Sequence, residues 1–179
     1  MLSRVADSLY WMSRYLERAE HTARLIDVDF QLRLDQSPDA GSGRWLRLLE
    51  ASQAPPPEDG KIDAATLTNV LTLDKSNPSS IISCVAAARE NLRQVREQCS
   101  TEMWEQLNRL YLQVNNTTKT EAWLLQSHIF FRAVQEGAHL FQRVTDSTMS
   151  HGEGWHFIRT GRYLERAYGT ATLLDVYSA

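Results

Sequence analysis

The residues of this 179-residue chain best suited to chemistry are carboxylates and guanidiniums spaced three and one apart. Arg14, Glu17 and Arg18 form one such set, and Arg162, Glu165 and Arg166 form a second. A glutamate among arginines can serve in three ways. Within one helix, Arg14–Glu17 and Arg162–Glu165 are i,i+3 pairs, worth about 0.2–0.5 kcal/mol each when exposed. If the two segments lie side by side, Glu17 faces Arg162 or Arg166 and Glu165 faces Arg14 or Arg18, a network that fixes register as much as it stabilises. If the arginine forks are left partly unpaired, the same residues can hold a carboxylate or phosphate bidentately.

Metal binding is a fourth possibility. Glu136-Gly-Ala-His139 and Glu153-Gly-Trp-His156 share the Glu-x-x-His spacing of di-iron helical bundles. Glu17 and Glu165 would bring the set to four carboxylates and two histidines. Against this, Ser150 to Glu153 reads as a capping box, and His139 reads as a helix-surface or core-edge residue. His21, His128 and His151 have no partner pattern. The chain has no Gly-x-Ser-x-Gly elbow, Walker loop, dinucleotide fingerprint, Cys-x-x-Cys or His-Glu-x-x-His. Trp11, Trp45, Trp104, Trp123 and Trp155 fall at helix-core spacing and read as packing residues. No nucleophile and no cofactor is implied, so the pattern favours binding over catalysis.

Composition narrows the class further. The net charge of −3 and the interleaving of arginines with acids describe solvated helix faces, not a nucleic-acid surface. Cys84 and Cys99 fall on one expected helix about 22 Å apart, too far to bridge, and read as reduced thiols of a cytoplasmic protein. The opening MLSRVADSLY turns amphipathic at once and lacks a signal-peptide core. No run approaches the roughly 20 apolar residues of a membrane span.

Positioning these side chains falls to helices, and one helix is written twice. Arg14-Tyr-Leu-Glu-Arg-Ala19 returns as Arg162-Tyr-Leu-Glu-Arg-Ala167, and eleven of the fifteen positions of 14–28 are identical in 162–176. A shift of 148 residues implies a long-period repeat. On that reading 1–179 is one domain, with 1–146 a first unit and 150–179 the opening helix of a second, truncated one. Alternatively, the two segments are equivalent helices of one bundle. In either case the two should touch and be related by an approximate two-fold axis.

Taken in order, a helix is expected from Ser3 to about Leu34, with a core stripe of Val5, Leu9, Met12, Leu16, Ala19, Ala23, Ile26 and Phe30. Residues 35–43 read as a turn, followed by a short helix from Arg44 to about Ala51. The three prolines of 55–57 exclude a helix there. A second short helix is expected behind Asp63. Asn77-Pro78 should start a helix that runs to about Gln98. Ser100 should cap the next, ending at Asn115–Thr118. A long helix is expected over 120–145, with Ile129, Phe130, Val134, Leu140 and Phe141 inward, and a last one from about 150. The fold class is all-α: a bundle of four or more long antiparallel helices, two short ones, and a duplicated Glu-Arg helix.

Several of these stretches resemble one family. LSRVADSLYWMSRYLERAEHTARLIDV, NPSSIISCVAAARENLRQVRE, the segment Ser100–Tyr111 and TMSHGEGWHFIRTGRYLERA are similar to the bacterial alpha-E domain family. The resemblance covers essentially the whole chain. It implies an all-helical domain named for its Glu-Arg motif, here Glu17-Arg18 and Glu165-Arg166, that usually occurs as a tandem duplication. It also implies association with a peptide-synthesis or modification system containing an ATP-grasp ligase. The expected function is therefore a non-catalytic accessory domain that binds a ligase partner or a peptide substrate. The alternative is an enzyme or a carboxylate or phosphate binder centred on the Glu-Arg elements, possible metal assistance included. A homo-oligomer is expected too, because Trp155, Phe157, Leu164, Ala171 and Leu174 cannot all face one neighbour.

Overall fold

The computed structural model describes residues 1–34, 41–52, 54, 63–117 and 127–178. Among these residues there are seven α-helices and no strand: α1 Ser3–Leu34, α2 Gly41–Ala51, α3 Ala64–Thr72, α4 Ile81–Gln94, α5 Thr101–Thr117, α6 Ser127–Thr148 and α7 Glu153–Ser178. The all-α fold follows from the apolar periodicity. The expected proline loop falls mostly outside the described residues, as do the first turns expected of the helix over 120–145, Trp123 included.

α1 runs through the middle of the molecule. Leu9, Met12, Leu16, Ala19, Ala23 and Ile26, spaced alternately three and four apart, are all buried. Contacts α1–α4, α4–α5, α5–α6 and α6–α1 close a four-helix ring around that stripe. From α4 the ring receives Ile81, Val85, Ala88 and Leu92, and from α5 Met103, Leu107, Leu110 and Val114. The short helices add Leu48, Leu49, Leu67 and Leu71.

Several boundaries differ from expectation, each for a local reason. α4 starts at Ile81 behind Ser80, whose Oγ accepts from Ser83 N, and not at Pro78. Asn77 instead ties the chain back to α3, its Nδ2 donating to the Val70 carbonyl at 3.0 Å while its Oδ1 accepts from Ser79 N. The helix ends at Gln94, and a 3-10 turn covers Arg96–Gln98. α5 continues through Asn115, whose Nδ2 donates to the Tyr111 carbonyl one turn back instead of breaking the helix. Asp63 and Ser100 cap as expected, accepting from Thr66 N and Met103 N. In α6 the buried apolar set is Phe130, Phe131, Val134, Ala138 and Phe141, while Ile129 is exposed and Leu140 half-buried. Adjacent phenylalanines offer two registers, and Phe131 settles the choice by packing on Phe30 at 5.9 Å between ring centres.

α6 runs antiparallel to α1, with Phe131 by Phe30 and Gln142 by Glu17, and α7 turns back antiparallel to α6. Its start is pinned to the end of α6 by Trp155 Nε1, which donates to Asp146 at 2.9 Å, with His151 stacked on the indole. From there it runs parallel to α1: Gly154 lies by Leu9, Gly161 by Tyr10 and Ser13, and Gly169 by His21. Among the described residues this pair is the most extensive helix contact. The capping-box reading of Glu153 also gives way, since its carboxylate accepts from the Met1 amine at 2.6 Å.

Candidate functional site: a reciprocal Glu-Arg clamp

The α1–α7 pairing brings the two Glu-Arg elements face to face. Arg14 Nε donates to Glu165 Oε2 and Arg18 Nε to Glu165 Oε1, both at 2.6 Å. In return, Arg166 Nε donates to Glu17 Oε1 at 2.6 Å. Arg18–Glu165 and Arg166–Glu17 exchange under the 148-residue shift, as expected of a local two-fold lying between parallel helices. Ser13 and Gly161 form a second matched pair, and His21 and Gly169 a third. The i,i+3 reading is overturned: Arg14 crosses to the other helix.

The match is incomplete at one corner. Arg14 reaches Glu165, but its counterpart Arg162 leaves Glu17 to Gln142, whose Nε2 donates to Glu17 Oε2 at 3.2 Å. Arg162 donates instead to the Tyr163 hydroxyl at 2.8 Å. Its Nε is shielded from solvent and unpartnered among the described residues. A small pocket bounded by Ser13, Glu17, Gln142, Asp146, Arg159 and Arg162 lies at this corner.

The electrostatics separate the two carboxylates. Glu165 is 5% exposed and its partners Arg14 and Arg18 only 19% and 18%, whereas the partner of Glu17, Arg166, is 49% exposed. Burial raises the proton affinity of Glu17, with Arg166 opposing it. Burial alone would lower the Arg14 and Arg18 guanidiniums, but their bonds to Glu165 outweigh it. Arg14 is further held by the Tyr10 hydroxyl and lies 5.2 Å from the centre of the Trp11 ring. His21 sits beneath Gly169 with its Nε2 unpartnered among the described residues, and burial depresses its pKa.

The metal candidates are not brought together. Glu136 pairs with Arg132, His139 lies 3.3 Å from Glu20, Glu153 holds the Met1 amine, and His156 packs against Trp155. Among the described residues no cluster of three or more His, Cys, Asp or Glu could hold a metal ion. Sequence reasoning missed Gln142, Tyr10 and the Glu20–Arg24–His139 group. Gly161 and Gly169, replacing Ser13 and His21 of the first copy, are the legible signs of close helix approach.

Fold and clamp together define an all-α bundle closed by a duplicated Glu-Arg helix. The chain belongs to the Alpha-E family, a predicted alpha-helical domain with a conserved ER motif, whose model matches residues 1–179. Among curated proteins it is similar to an uncharacterized protein of Mycobacterium bovis, 27% identical over 96% of this chain. An uncharacterized protein of Mycobacterium tuberculosis is 26% identical over the same share. The match spans 22% of the length of each relative. No solved structure matches the chain.

Proposed function

We propose that this domain is a non-catalytic helical accessory module serving a bacterial peptide-synthesis or modification system, with an ATP-grasp ligase as its protein partner. One observation carries the non-catalytic part: both motif glutamates are buried and spoken for by arginines of the opposite helix. A carboxylate held this way is a poor general base, and the motif contributes no nucleophile. The two free thiols are no better placed, since burial pushes Cys84 up to about 12 and Cys99 to about 11. Free thiols also fit a cytoplasmic setting. The ligase partner rests on the family resemblance. Titrating the purified chain against such a ligase tests it, with saturable binding expected and no turnover by the chain alone. Absence of binding would remove the partner reading.

The second reading, a small carboxylate or phosphate binder, is favoured by the shielded, unpartnered Arg162 Nε beside its pocket. Calorimetry with phosphate and acetate separates the two readings. Saturable heat abolished by Arg162→Leu would support the binder, and no heat would leave the clamp purely structural.

A further inference from the structure

The outward face of α7 carries a second seam. Phe157, Leu164 and Ala171 recur every seventh residue, as do Thr160, Ala167 and Leu174, which is the spacing of a helix-pairing stripe. All six are exposed. Under the 148-residue shift they correspond to Leu9, Leu16, Ala23, Met12, Ala19 and Ile26, the buried core stripe of α1. The face that α1 buries is therefore the face that α7 leaves open. Phe157, Tyr163, Leu164, Tyr168 and Leu174 keep between 40% and 65% of their surface. At about 200 Å² for a large side chain, that amounts to roughly 500 Å² per chain, as large as the biggest apolar patches of typical monomers.

We propose that a second copy of this chain covers the face, in a two-fold contact that lays the two α7 helices antiparallel. A partner's α4, α5 and α6 are already closed around its own α1, so its matching free seam is its own α7. Joining two such faces buries at most roughly 1,000 Å², the lower limit for a specific interface. Direction follows from side-chain volume. Antiparallel pairing sets Leu164 against the partner's Ala167, large against small, with Phe157 against the partner's Leu174 and Thr160 against the partner's Ala171. Parallel pairing stacks each residue on itself, Thr160, Ala167 and Ala171 included, and offers no large-against-small pair. This contact is independent of the ligase reading, since it needs only the chain itself.

Sedimentation equilibrium of the chain at micromolar concentration tests it, with twice the chain mass expected. Leu164→Glu and, separately, Leu174→Glu lie at positions 50% and 65% exposed, so each should give a folded monomer with unchanged helical circular dichroism. Mixing Phe157→Cys and Leu174→Cys chains under oxidation should cross-link them to each other, whereas neither cross-links alone. A monomer throughout overturns the proposal and leaves the face to a heterologous helix. A dimer that both glutamate variants leave intact also overturns it, and a Leu174→Cys chain cross-linking to itself overturns the antiparallel arrangement.

Discussion

Two glutamates with the same local sequence behave differently because their partners differ in exposure. Removing the Glu165 charge strands two cations that are about four-fifths buried, and uncompensated buried charges of this kind cost about 3–5 kcal/mol. Removing the Glu17 charge frees Arg166, which is half in water already, so the loss should stay below about 1 kcal/mol. Glu165→Gln should therefore lower the urea midpoint sharply and Glu17→Gln hardly at all. Equal effects would contradict the exposure argument. His21 adds a pH dependence. Its folded pKa is depressed by burial, so its contribution is present above the unfolded value of about 6.5 and is lost as pH falls through the folded value. Glu17 has the opposite sign, because its raised pKa favours the folded state in acid. The melting temperature should thus drop on going from neutral to mildly acidic pH, and His21→Gln should flatten that slope.

The parallel contact of α1 with α7 is set by a missing side chain. A Cβ on Gly161 would run into Ser13 Oγ and the Tyr10 carbonyl oxygen, and the carbonyl cannot rotate away. Gly161→Ala should therefore cost about 1–3 kcal/mol, as overpacking does, measured by thermal or urea unfolding. Adding Ser13→Ala should recover only part of it, because the backbone contact remains. Full recovery would show the hydroxyl alone to be the obstacle. The glycine is readable in the sequence, but its partner is not, since nothing local says which helix comes close.

The two thiols can report how the whole molecule opens. Cys84 is fully buried in the ring of α1, α4, α5 and α6, while Cys99 is half-buried at the mouth of a cleft lined by Val5, Leu9 and Met149. Native-state labelling should reach Cys99 through local opening and Cys84 only through global unfolding. Urea should then accelerate Cys84 labelling with the full unfolding slope and Cys99 with a smaller one. A common slope would mean that the bundle and its end open as one unit.

Periodicity by itself determined the helix class, the α1 stripe, the caps at Asp63 and Ser100, and the cross-helix partners open to Glu17 and Glu165. All of these follow from spacings along one helix or from a repeat that can be aligned by eye. Tertiary structure decided what depends on two helices at once. It made α7 parallel to α1, chose Arg166 and Gln142 for Glu17, left Arg162 aside, and moved the α6 face from Ile129 to Phe131. For α7 the sequence showed only that its apolar residues cannot all face one neighbour; that Trp155 is the covered one and Phe157, Leu164 and Leu174 stay open needed the fold. Whether an apolar stripe is core or surface depends on how many helices are near enough to cover it, and no spacing within one helix records that.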